Sequence, residues 1–439
     1  MDHLILSKPG KSTHCTIQLT GSKSESNRAL ILNALSGGRV KVKNLSSADD
    51  TVTLAKVVEG SMLKVAGEGV EGQPTTHNPQ LTTHNSQSTI HNSLPTVNIG
   101  PAGTAMRFLT AYFAVTGTEV VLTGTERMKQ RPIGILVDAL RSLGAEIEYV
   151  EKDGFPPLQF KNSFLQKTNQ ISIKGNISSQ FITALLLVAP SLPKGLELSI
   201  EGELTSRPYV EMTLSMLKEA GIEHQWKENI ISIAQQEFKE SEITVEPDWS
   251  AASYWYSIAA LSAESEIVLP YLKKSSLQGD SRIGCIMGNF GISTEFTAEG
   301  LVLRKNGEAP KDKFYDLKDC PDLAQTVIVC SAALGHNATF TGLETLKIKE
   351  TDRIAALQNE LAKIGVTLNE DNESYHLDCS GLHFPEKVTI STYEDHRMAM
   401  AFAPLALKIS QLEIEEPQVV GKSYPMFWED LKKAGFEIG

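Results

Sequence analysis

Two carboxylates, Asp322 and Glu350, stand near basic residues in the sequence and could move protons in a reaction. An ionised carboxylate can take a proton from a substrate hydroxyl, and nearby cations keep a carboxylate ionised. Asp322 also stands where a helix is predicted to begin, and an acidic side chain is a common cap at such a position. Position along the chain therefore leaves proton transfer and helix capping open.

The segment 21–28 has the composition of an anion-binding turn. It contains three serines together with Lys23 and Arg28, and an apolar run follows it at 29–35. The first N–H groups of a helix lack partners within the helix and carry partial positive charge, so hydroxyls and cations placed there can bind an anion. The same serines could instead cap the helix, and one such turn does not separate the two interpretations.

The same arrangement recurs before six apolar segments, which are predicted to be buried helices because they are apolar on nearly all sides. Hydroxyl residues, glycines or charged residues stand at the start of each segment. Six helix starts could therefore converge on one strongly anionic ligand. The six predicted buried helices are 24–35, 104–115, 178–188, 250–261, 321–334 and 395–407.

A second repeated pattern is an amphipathic helix that ends at a glycine and is followed by alternating apolar residues. A glycine at this position is typical of a left-handed helix C-cap that leads into a strand. The repeating unit is thus strand, buried helix, strand, exposed helix, strand, which predicts a mixed α/β protein. A weaker first copy is expected around Gly60. The other glycines, 70 to 77 residues apart, are Gly144, Gly221, Gly291, Gly365 and Gly435.

Six units in 439 residues predict two similar domains of three units each. We expect one domain to comprise 1–21 and 246–439, with the N-terminal strand crossing over, and the other to comprise 22–245. A low-complexity insertion rich in Thr, Ser and Pro is predicted at 72–95. Its three His-Asn pairs are not expected to bind metal, because its prolines oppose a helix that would align them.

The charge and the cysteine content limit the partners and the compartment. The net charge of −12 argues against binding to nucleic acid or to an anionic membrane. Five scattered cysteines without a CxxC pair predict reduced thiols in a cytoplasmic protein, and no apolar run reaches membrane-spanning length. An acidic chain that places cations at equivalent repeat positions is expected to bind a small molecule more acidic than itself.

Eight short polar motifs follow one another along the chain. They are Gly21-Ser-Lys-Ser with Ser26-Asn-Arg28, Ala102-Gly-Thr-Ala-Met-Arg107, Arg127-Met-Lys-Gln-Arg-Pro132, Ser178-Ser-Gln180, Ser206-Arg-Pro-Tyr209, Lys349-Glu-Thr-Asp-Arg353, Asp395-His-Arg-Met-Ala-Met400 and Lys422-Ser. Together and in this order they resemble the 5-enolpyruvylshikimate-3-phosphate synthase family. The match covers essentially the whole chain except 61–97.

The resemblance implies two domains, each built from three βαβαββ units, in the inside-out α/β barrel arrangement of enolpyruvyl transferases. It implies transfer of the enolpyruvyl group of phosphoenolpyruvate to the 5-hydroxyl of shikimate 3-phosphate through a tetrahedral intermediate. The products would be phosphate and 5-enolpyruvylshikimate 3-phosphate, on the shikimate pathway to chorismate and the aromatic amino acids. No cofactor and no metal are implied, and a monomer is expected.

The resemblance also implies roles for individual residues. Asp322 and Glu350 would carry the proton transfers, with Lys23 assisting. The expected contacts of shikimate 3-phosphate are Lys23, Ser24, Arg28, Ser178, Ser179, Gln180, Ser206, Tyr209, Asp322 and Lys349. The expected contacts of phosphoenolpyruvate are Lys23, Gly103, Arg127, Gln180, Arg353, Arg397 and Lys422.

Two alternatives stay open from the sequence. The UDP-N-acetylglucosamine enolpyruvyl transferase family shares the fold and the chemistry, but it usually carries a cysteine in a loop before an Arg-Pro pair, and 124–132 contains none. A non-catalytic protein that binds a phosphorylated metabolite would keep the serines and lysines but lose the proton-transfer carboxylates, and both carboxylates are present. The sequence therefore favours the shikimate-type transferase.

Overall fold

The chain folds into a mixed α/β structure, which is the predicted class. Most of the predicted insertion at 72–95, including its three His-Asn pairs, lies outside the described residues. Within the described ranges, the strands form five four-stranded sheets and one two-stranded sheet. The computed structural model describes residues 3–65, 94–176, 178–307 and 310–439, and for 61–65 it describes the backbone alone.

Strands and helices are interspersed along these ranges. No helix in them is long and apolar enough to cross a membrane. The strands are β1 (His3–Ser7), β2 (Thr13–Thr16), β3 (Val40–Lys43), β4 (Thr96–Asn98), β5 (Val120–Thr123), β6 (Ala145–Tyr149), β7 (Leu158–Phe164), β8 (Gln170–Lys174), β9 (Leu196–Glu201), β10 (Gln225–Lys227), β11 (Ile230–Ile233), β12 (Ser241–Thr244), β13 (Ser265–Leu269), β14 (Ile292–Thr297), β15 (Gly300–Lys305), β16 (Phe314–Asp316), β17 (Ala338–Thr341), β18 (Thr367–Asp371), β19 (Ser374–Asp378), β20 (Lys387–Ile390), β21 (Gln411–Glu415) and β22 (Glu437–Ile438). The helices are α1 (Lys23–Leu35), α2 (Asp49–Val65), α3 (Gly103–Thr116), α4 (Glu126–Lys129), α5 (Gly134–Leu143), α6 (Ser179–Val188), α7 (Arg207–Glu219), α8 (Trp249–Leu261), α9 (Ile283–Gly288), α10 (Ala324–Ala333), α11 (Arg353–Ala362), α12 (His396–Phe402) and α13 (Phe427–Lys433).

The strands β4 to β7 show how one four-stranded sheet is built. β4 and β5 are parallel, and the buried helix α3 supplies the crossover that a parallel pair requires. The chain then passes through α4 and α5 into β6, and β7 lies antiparallel between β5 and β6. The same βαβαββ order recurs in the sheet of β8 to β11 and in the sheet of β16 to β19.

The six predicted buried helices are all present, as α1, α3, α6, α8, α10 and α12. The first four end within two residues of their predicted ends. The last two are shorter, because 321–323 and 403–407 form 3-10 helices instead. Proline stands in the first turn of both 3-10 segments, where its missing N–H costs no helical hydrogen bond.

The repeat glycines adopt the left-handed conformation that the sequence predicts. Their φ angles are 119° at Gly144, 85° at Gly221, 78° at Gly291, 75° at Gly365 and 82° at Gly435. Gly144 also lacks room for a side chain, because a Cβ atom there would collide with the carbonyl oxygen of Leu165. The predicted copy around Gly60 is wrong, because α2 continues through that glycine without a left-handed turn.

Buried apolar side chains form two separate clusters. One cluster draws on 29–245, and the other on 4–19 and 249–436. Where the chain passes between them, two sheets exchange strands: β2 precedes α1 but pairs with β13, while β12 precedes α8 but pairs with β3. We keep as a proposal the division into 1–21 plus 246–439 and 22–245, which the clusters and this exchange support.

Candidate functional site

A cavity of about 570 Å³ lies between the two apolar clusters, and the starts of all six buried helices reach it. Two residues of the predicted site, Arg127 and Lys422, do not line this cavity. The predicted site residues that do line it are Lys23, Ser24, Arg28, Gly103, Ser178, Ser179, Gln180, Ser206, Tyr209, Asp322, Lys349, Glu350, Arg353 and Arg397.

Asp322 is surrounded by cations from three segments. Its Oδ2 accepts from Arg397 Nη2 at 2.9 Å, and its Oδ1 accepts from Arg353 Nη1 at 3.2 Å. Lys349 Nζ lies 3.8 Å from the same Oδ1. Burial alone would raise the pKa of the Asp322 carboxyl, but the charges of Arg397, Lys349 and Arg353 outweigh it and hold the pKa below its ordinary value. Asp322 is thus an ionised carboxylate, as a proton acceptor must be.

Glu350 is the second carboxylate of the cavity, and cations hold both of its oxygens. Oε1 accepts from Lys422 Nζ at 2.9 Å, and Oε2 accepts from Arg353 Nη2 at 2.9 Å. Arg131 Nη1 lies 3.6 Å from Oε1. Burial would raise the pKa of Glu350, but Lys422, Arg131 and Arg353 hold it well below its ordinary value. Lys422 therefore reaches the site through Glu350, although it does not line the cavity.

Arg353 connects the two carboxylates, and a buried acid fixes its orientation. Its Nε donates to Asp395 Oδ2 at 2.7 Å, and the side chain is only 2% exposed. Asp395 also accepts from the backbone N–H of Arg397 at 2.8 Å, so it caps α12 at the same time. Burial would lower the pKa of Arg353, but Asp395, Glu350 and Asp322 raise it further than burial lowers it. The guanidinium is a permanent cation held between the two proton-transfer candidates.

Arg28 is a buried cation whose hydrogen-bond partners are all neutral. Its guanidinium donates to Thr213 Oγ1 at 2.9 Å and to the carbonyl of Ser24 at 2.8 Å. It also donates to Thr183 Oγ1 and to the carbonyl of Tyr209, both at 3.2 Å. Burial lowers the pKa of Arg28 to about 10, so the group stays charged near neutral pH. Its positive charge has no carboxylate hydrogen-bonded to it in the described ranges and faces the cavity.

Helix starts supply the remaining polar contacts on this side of the cavity. Ser178 caps α6 through the N–H of Gln180, and Gln180 Nε2 donates to Thr104 Oγ1 at 3.1 Å. Ser206 precedes α7 in a left-handed conformation with φ 54°. Burial, together with nearby carboxylates, raises the pKa of the Tyr209 hydroxyl well above its ordinary value. These hydroxyl and amide groups are neutral donors and acceptors for a bound polyol or phosphate.

Lys23 begins α1 and lines the cavity. Its Nζ lies 3.3 Å from Asp50 Oδ2, and its backbone N–H donates to Asp248 Oδ2 at 3.1 Å. Burial lowers the pKa of the His396 imidazole well below its ordinary value, and the charges of Lys23, Arg397 and Lys422 lower it further. His396 is therefore neutral, and both of its ring nitrogens lack a hydrogen-bond partner among the described residues.

Arg127, which was predicted to bind phosphoenolpyruvate, does not line the cavity. Its exposed side chain donates to the backbone carbonyls of Glu350 at 3.1 Å and Lys349 at 3.2 Å. It thereby joins the α4 segment of one apolar cluster to the segment that carries Glu350 in the other. The cavity-lining arginine of this motif is Arg131, four residues later. The role of Arg127 stays a prediction.

The site predicted from the sequence omits charged residues that contact it. Among them are Asp50 and Asp248 beside Lys23, Arg131 beside Glu350, and Asp395 beside Arg353. Arg131 and Asp395 stand inside motifs, but a motif does not show which of its charges turns inward. No group of three or more His, Cys, Asp or Glu side chains in the described part of the chain is arranged to hold a metal ion.

Comparison with known proteins identifies the family. The family model described as EPSP synthase (3-phosphoshikimate 1-carboxyvinyltransferase) matches residues 7–431. A 3-phosphoshikimate 1-carboxyvinyltransferase from Bacteroides fragilis is 47% identical over 437 residues, covering 99% of this chain and 98% of that protein. One from Pectobacterium carotovorum is 35% identical over 441 residues, covering 99% of each.

A solved structure of EPSP synthase from Acinetobacter baumannii has the same fold. It aligns with a TM-score of 0.75 over 100% of both chains, at 20% sequence identity. The fold predicted from the sequence, the two-domain inside-out α/β barrel of enolpyruvyl transferases, is thereby confirmed. The family match spans nearly the whole sequence, and the relatives match end to end. The chain therefore belongs to the EPSP synthase (3-phosphoshikimate 1-carboxyvinyltransferase) family.

Proposed function

We propose that this protein transfers the enolpyruvyl group of phosphoenolpyruvate to the 5-hydroxyl of shikimate 3-phosphate. One observation carries the proposal: Arg353 holds two ionised carboxylates, Asp322 and Glu350, at opposite ends of one guanidinium inside an anion-binding cavity. The substrates together bring two phosphates and two carboxylates. The cavity is lined by lysines, arginines and helix starts, which can bind these four anionic groups.

The first step needs a proton on the methylene carbon of phosphoenolpyruvate, and we assign it to Glu350. In the cavity as it stands, Lys422, Arg353 and Arg131 keep Glu350 ionised. Phosphoenolpyruvate brings a phosphate and a carboxylate to the same cations, and these anions compete with Glu350 for them. Their negative charge raises the pKa of Glu350, so the substrate itself favours the protonated acid. Protonation of the methylene leaves an electron-poor carbon with oxocarbenium character.

The second step is attack of the 5-hydroxyl on that carbon, and we assign the base to Asp322. Asp322 is ionised, and Lys349 lies 3.8 Å away to stabilise the charge that moves during proton transfer. The carbon–oxygen bond forms as the hydroxyl proton passes to Asp322, giving the tetrahedral intermediate. The bond to the phosphate oxygen then breaks, and the leaving phosphate takes up the proton that Asp322 received from the hydroxyl. The methyl group returns a proton to Glu350, and the enol ether and hydrogen phosphate are released with both carboxyl groups restored.

Substrate binding by the remaining residues is assigned on the same reasoning. Arg28, with neutral partners only, offers an uncompensated charge to the phosphate of shikimate 3-phosphate. Lys23 lies between the two substrates and would touch both. Arg397 and Arg353 present planar donors to the phosphoenolpyruvate carboxylate. Fixed cations in a buried cavity stabilise the developing charge without reorganisation and overcome the repulsion between two polyanions.

The roles of the two carboxylates can be tested by isosteric substitution. Asp322→Asn and Glu350→Gln each remove a proton-transfer group while keeping its size. We expect kcat to fall by about 10²- to 10⁴-fold in each variant, with shikimate 3-phosphate still binding in calorimetry. Asp319→Asn is the matched control, because the Asp319 side chain is partly exposed, at 42%, and is paired with Arg282 on the surface. Wild-type turnover in both cavity variants would remove these residues from the mechanism.

The acceptor distinguishes the proposal from its nearest alternative. Phosphate release from phosphoenolpyruvate is measured with shikimate 3-phosphate and, separately, with UDP-N-acetylglucosamine. We expect release with the first acceptor alone. Release only with the UDP-sugar would refute the proposed substrate. We also propose a cytoplasmic monomer, on the basis of five unpaired cysteines and a cavity built from one chain.

A further inference from the structure

Asp280 is a buried carboxylate behind the cavity, and the proposed mechanism gives it no role. It stands in a short 3-10 helix, Gly279–Arg282, and is only 1% exposed. Its Oδ2 accepts from the hydroxyl of Ser250, whereas its Oδ1 has no hydrogen-bond partner among the described residues. Buried polar atoms are normally hydrogen-bonded, and an exception beside a reaction site often serves the reaction.

Ser250 links Asp280 to the arginine that holds the proposed base. Ser250 Oγ accepts from Arg397 Nη2 at 3.4 Å. The same Nη2 donates to Asp322 Oδ2 at 2.9 Å, and Nη1 donates to the backbone carbonyl of Asp322 at 3.0 Å. The hydroxyl of Ser250 therefore donates to one carboxylate and accepts from the guanidinium that the other carboxylate holds.

The two carboxylates repel each other across this link. Burial raises the pKa of Asp280 to about 7, and the charge of Asp322 adds to the rise, while Arg397 and the Ser250 hydroxyl oppose it. Coulomb repulsion is mutual, so an ionised Asp280 also makes Asp322 a stronger base. The other titratable groups that face Asp280 are Asp248 at the start of α8, Tyr209 in α7 and Cys320 before the 3-10 helix at 321–323.

Asp322 needs this support, because cations weaken it as a base. Burial would raise the pKa of Asp322, but three positive charges hold it below its ordinary value. They belong to Arg397, Lys349 and Arg353. The cations keep Asp322 ionised, yet a weaker base removes a hydroxyl proton more slowly. A negative charge on the far side of the shared guanidinium returns part of the lost basicity.

We propose that Asp280 is a positioning residue for proton transfer: in its ionised form it attracts Arg397 through Ser250 and so makes Asp322 a stronger base towards the 5-hydroxyl of shikimate 3-phosphate. The inference rests on the proposed function and adds a residue that touches neither substrate. Ser250 lines the cavity, and Asp280 lies behind it. Protonation of Asp280 cancels its effect on the base.

The single-turnover rate of phosphate release tests the inference, because it reports the chemical step and not product release. Enzyme saturated with shikimate 3-phosphate is mixed with a smaller amount of phosphoenolpyruvate. Asp280→Asn removes the charge and keeps an oxygen that can accept from Ser250. At about pH 8.5 we expect a rate about 3- to 30-fold below wild type, as for a loss of about one to three pKa units in a base whose proton transfer is half complete in the transition state.

The ratio of the wild-type rate to the Asp280→Asn rate should depend on pH. At about pH 5.5 Asp280 is protonated and resembles asparagine, so the ratio should be close to one. It should increase as the pH rises and Asp280 ionises. A purely structural role predicts a ratio that stays the same at every pH. Shikimate 3-phosphate should bind the variant within about threefold of wild type in calorimetry, because Asp280 does not line the cavity.

Two further variants make the result unambiguous. Asp319→Asn is again the control, because Asp319 pairs with Arg282 of the same 3-10 helix on the surface, and it should change the rate less than about twofold at every pH. Ser250→Ala removes a hydrogen bond that favours ionised Asp280, so the increase of the rate with pH should move up by about one pH unit. This variant decides the matter if circular dichroism shows that Asp280→Asn does not fold.

Three results would overturn the inference. They are a rate of Asp280→Asn within about twofold of wild type at about pH 8.5, a ratio that does not change with pH, and an unshifted pH profile in Ser250→Ala. Wild-type enzyme that releases no phosphate with shikimate 3-phosphate would refute the proposed function and this inference together. An active wild type with any of the three results would refute the inference alone.

Discussion

Glu25 is a buried acid near the crossing between the two apolar clusters, and its ionisation should control stability near neutral pH. It lies in α1 and is 4% exposed. Its Oε2 accepts from the N–H of Glu246 at 2.9 Å, and its Oε1 accepts from Gln278 Nε2 at 3.0 Å. No cation is hydrogen-bonded to it in the described structure. Burial raises the pKa of Glu25 to about 7, from an ordinary value of 4.5, and the nearby Glu246 charge adds to the rise.

The change of folding stability with pH follows from the linkage between protonation of Glu25 and folding. An acid whose pKa is raised in the folded state stabilises the fold fully below its unfolded pKa and loses that stabilisation as pH rises to the folded pKa. At about 1.4 kcal/mol for each pH unit between 4.5 and 7, the loss amounts to ~3 kcal/mol. About 2.5 kcal/mol of it falls between pH 5 and pH 8.

Glu25→Gln removes the titration, so its stability relative to wild type should rise by about 2.5 kcal/mol between pH 5 and pH 8. The free energy of unfolding is measured by denaturant titration followed by tryptophan fluorescence. Trp249 is a suitable probe, because its Nε1 donates to the side chain of Glu246, whose backbone N–H donates to Glu25. Glu119→Gln is the control, since Glu119 is exposed. A difference between wild type and Glu25→Gln that stays constant over this pH range would refute the reasoning.

Two further substitutions test the packing around the site and the repeat. Asp395→Asn removes one counter-ion of the buried Arg353 guanidinium and should therefore cost about 3 kcal/mol of unfolding free energy. It should also raise KM for phosphoenolpyruvate more than KM for shikimate 3-phosphate. Equal changes in the two KM values would contradict a specific role for Arg353. Gly144→Ala forces a Cβ against Leu165 at φ 119° and should cost at least about 2 kcal/mol by thermal denaturation. Gly60→Ala is its control, because Gly60 lies in a helix and no described atom would crowd a Cβ there, so the variant should gain about 0.5–1 kcal/mol. Similar losses in both variants would argue against the left-handed turn.

Several features of the molecule are local and could be predicted from the sequence. The buried helices are recognisable because their apolar residues leave no polar stripe, and this pattern does not depend on what packs against them. The five repeat glycines end helices because the left-handed conformation is a property of the residue itself. Gly60 shows the limit of the pattern: glycine permits a helix end but does not require one, and α2 continues through it.

The residue types of the site could also be predicted from the sequence, whereas the contacts between its acidic and basic side chains could not. The motifs contain the cations and Glu350, and Asp322 stands at the start of a predicted buried helix, so Asp322 and Glu350 could be selected as proton carriers. Asp395 could equally have been a helix cap alone, and the structure shows that it both caps α12 and holds Arg353. A residue type fixes the interactions that are possible, and the neighbours decide which of them form.

The contrast between Arg127 and Arg131 shows what only the tertiary structure decided. Both stand in one motif, four residues apart, and each is a plausible phosphate ligand by residue type. The structure directs Arg131 into the cavity towards Glu350 and leaves Arg127 on carbonyl groups outside it. Glu350 is more than 200 residues away in the sequence and stands between Leu346 and Ile354 of the other apolar cluster. The sequence by itself determined the buried helices, five of the six glycine helix ends and the supply of charge, because these depend on neighbouring residues. Which charges meet depends on how segments that are distant in the sequence lie against each other, and no local pattern encodes that.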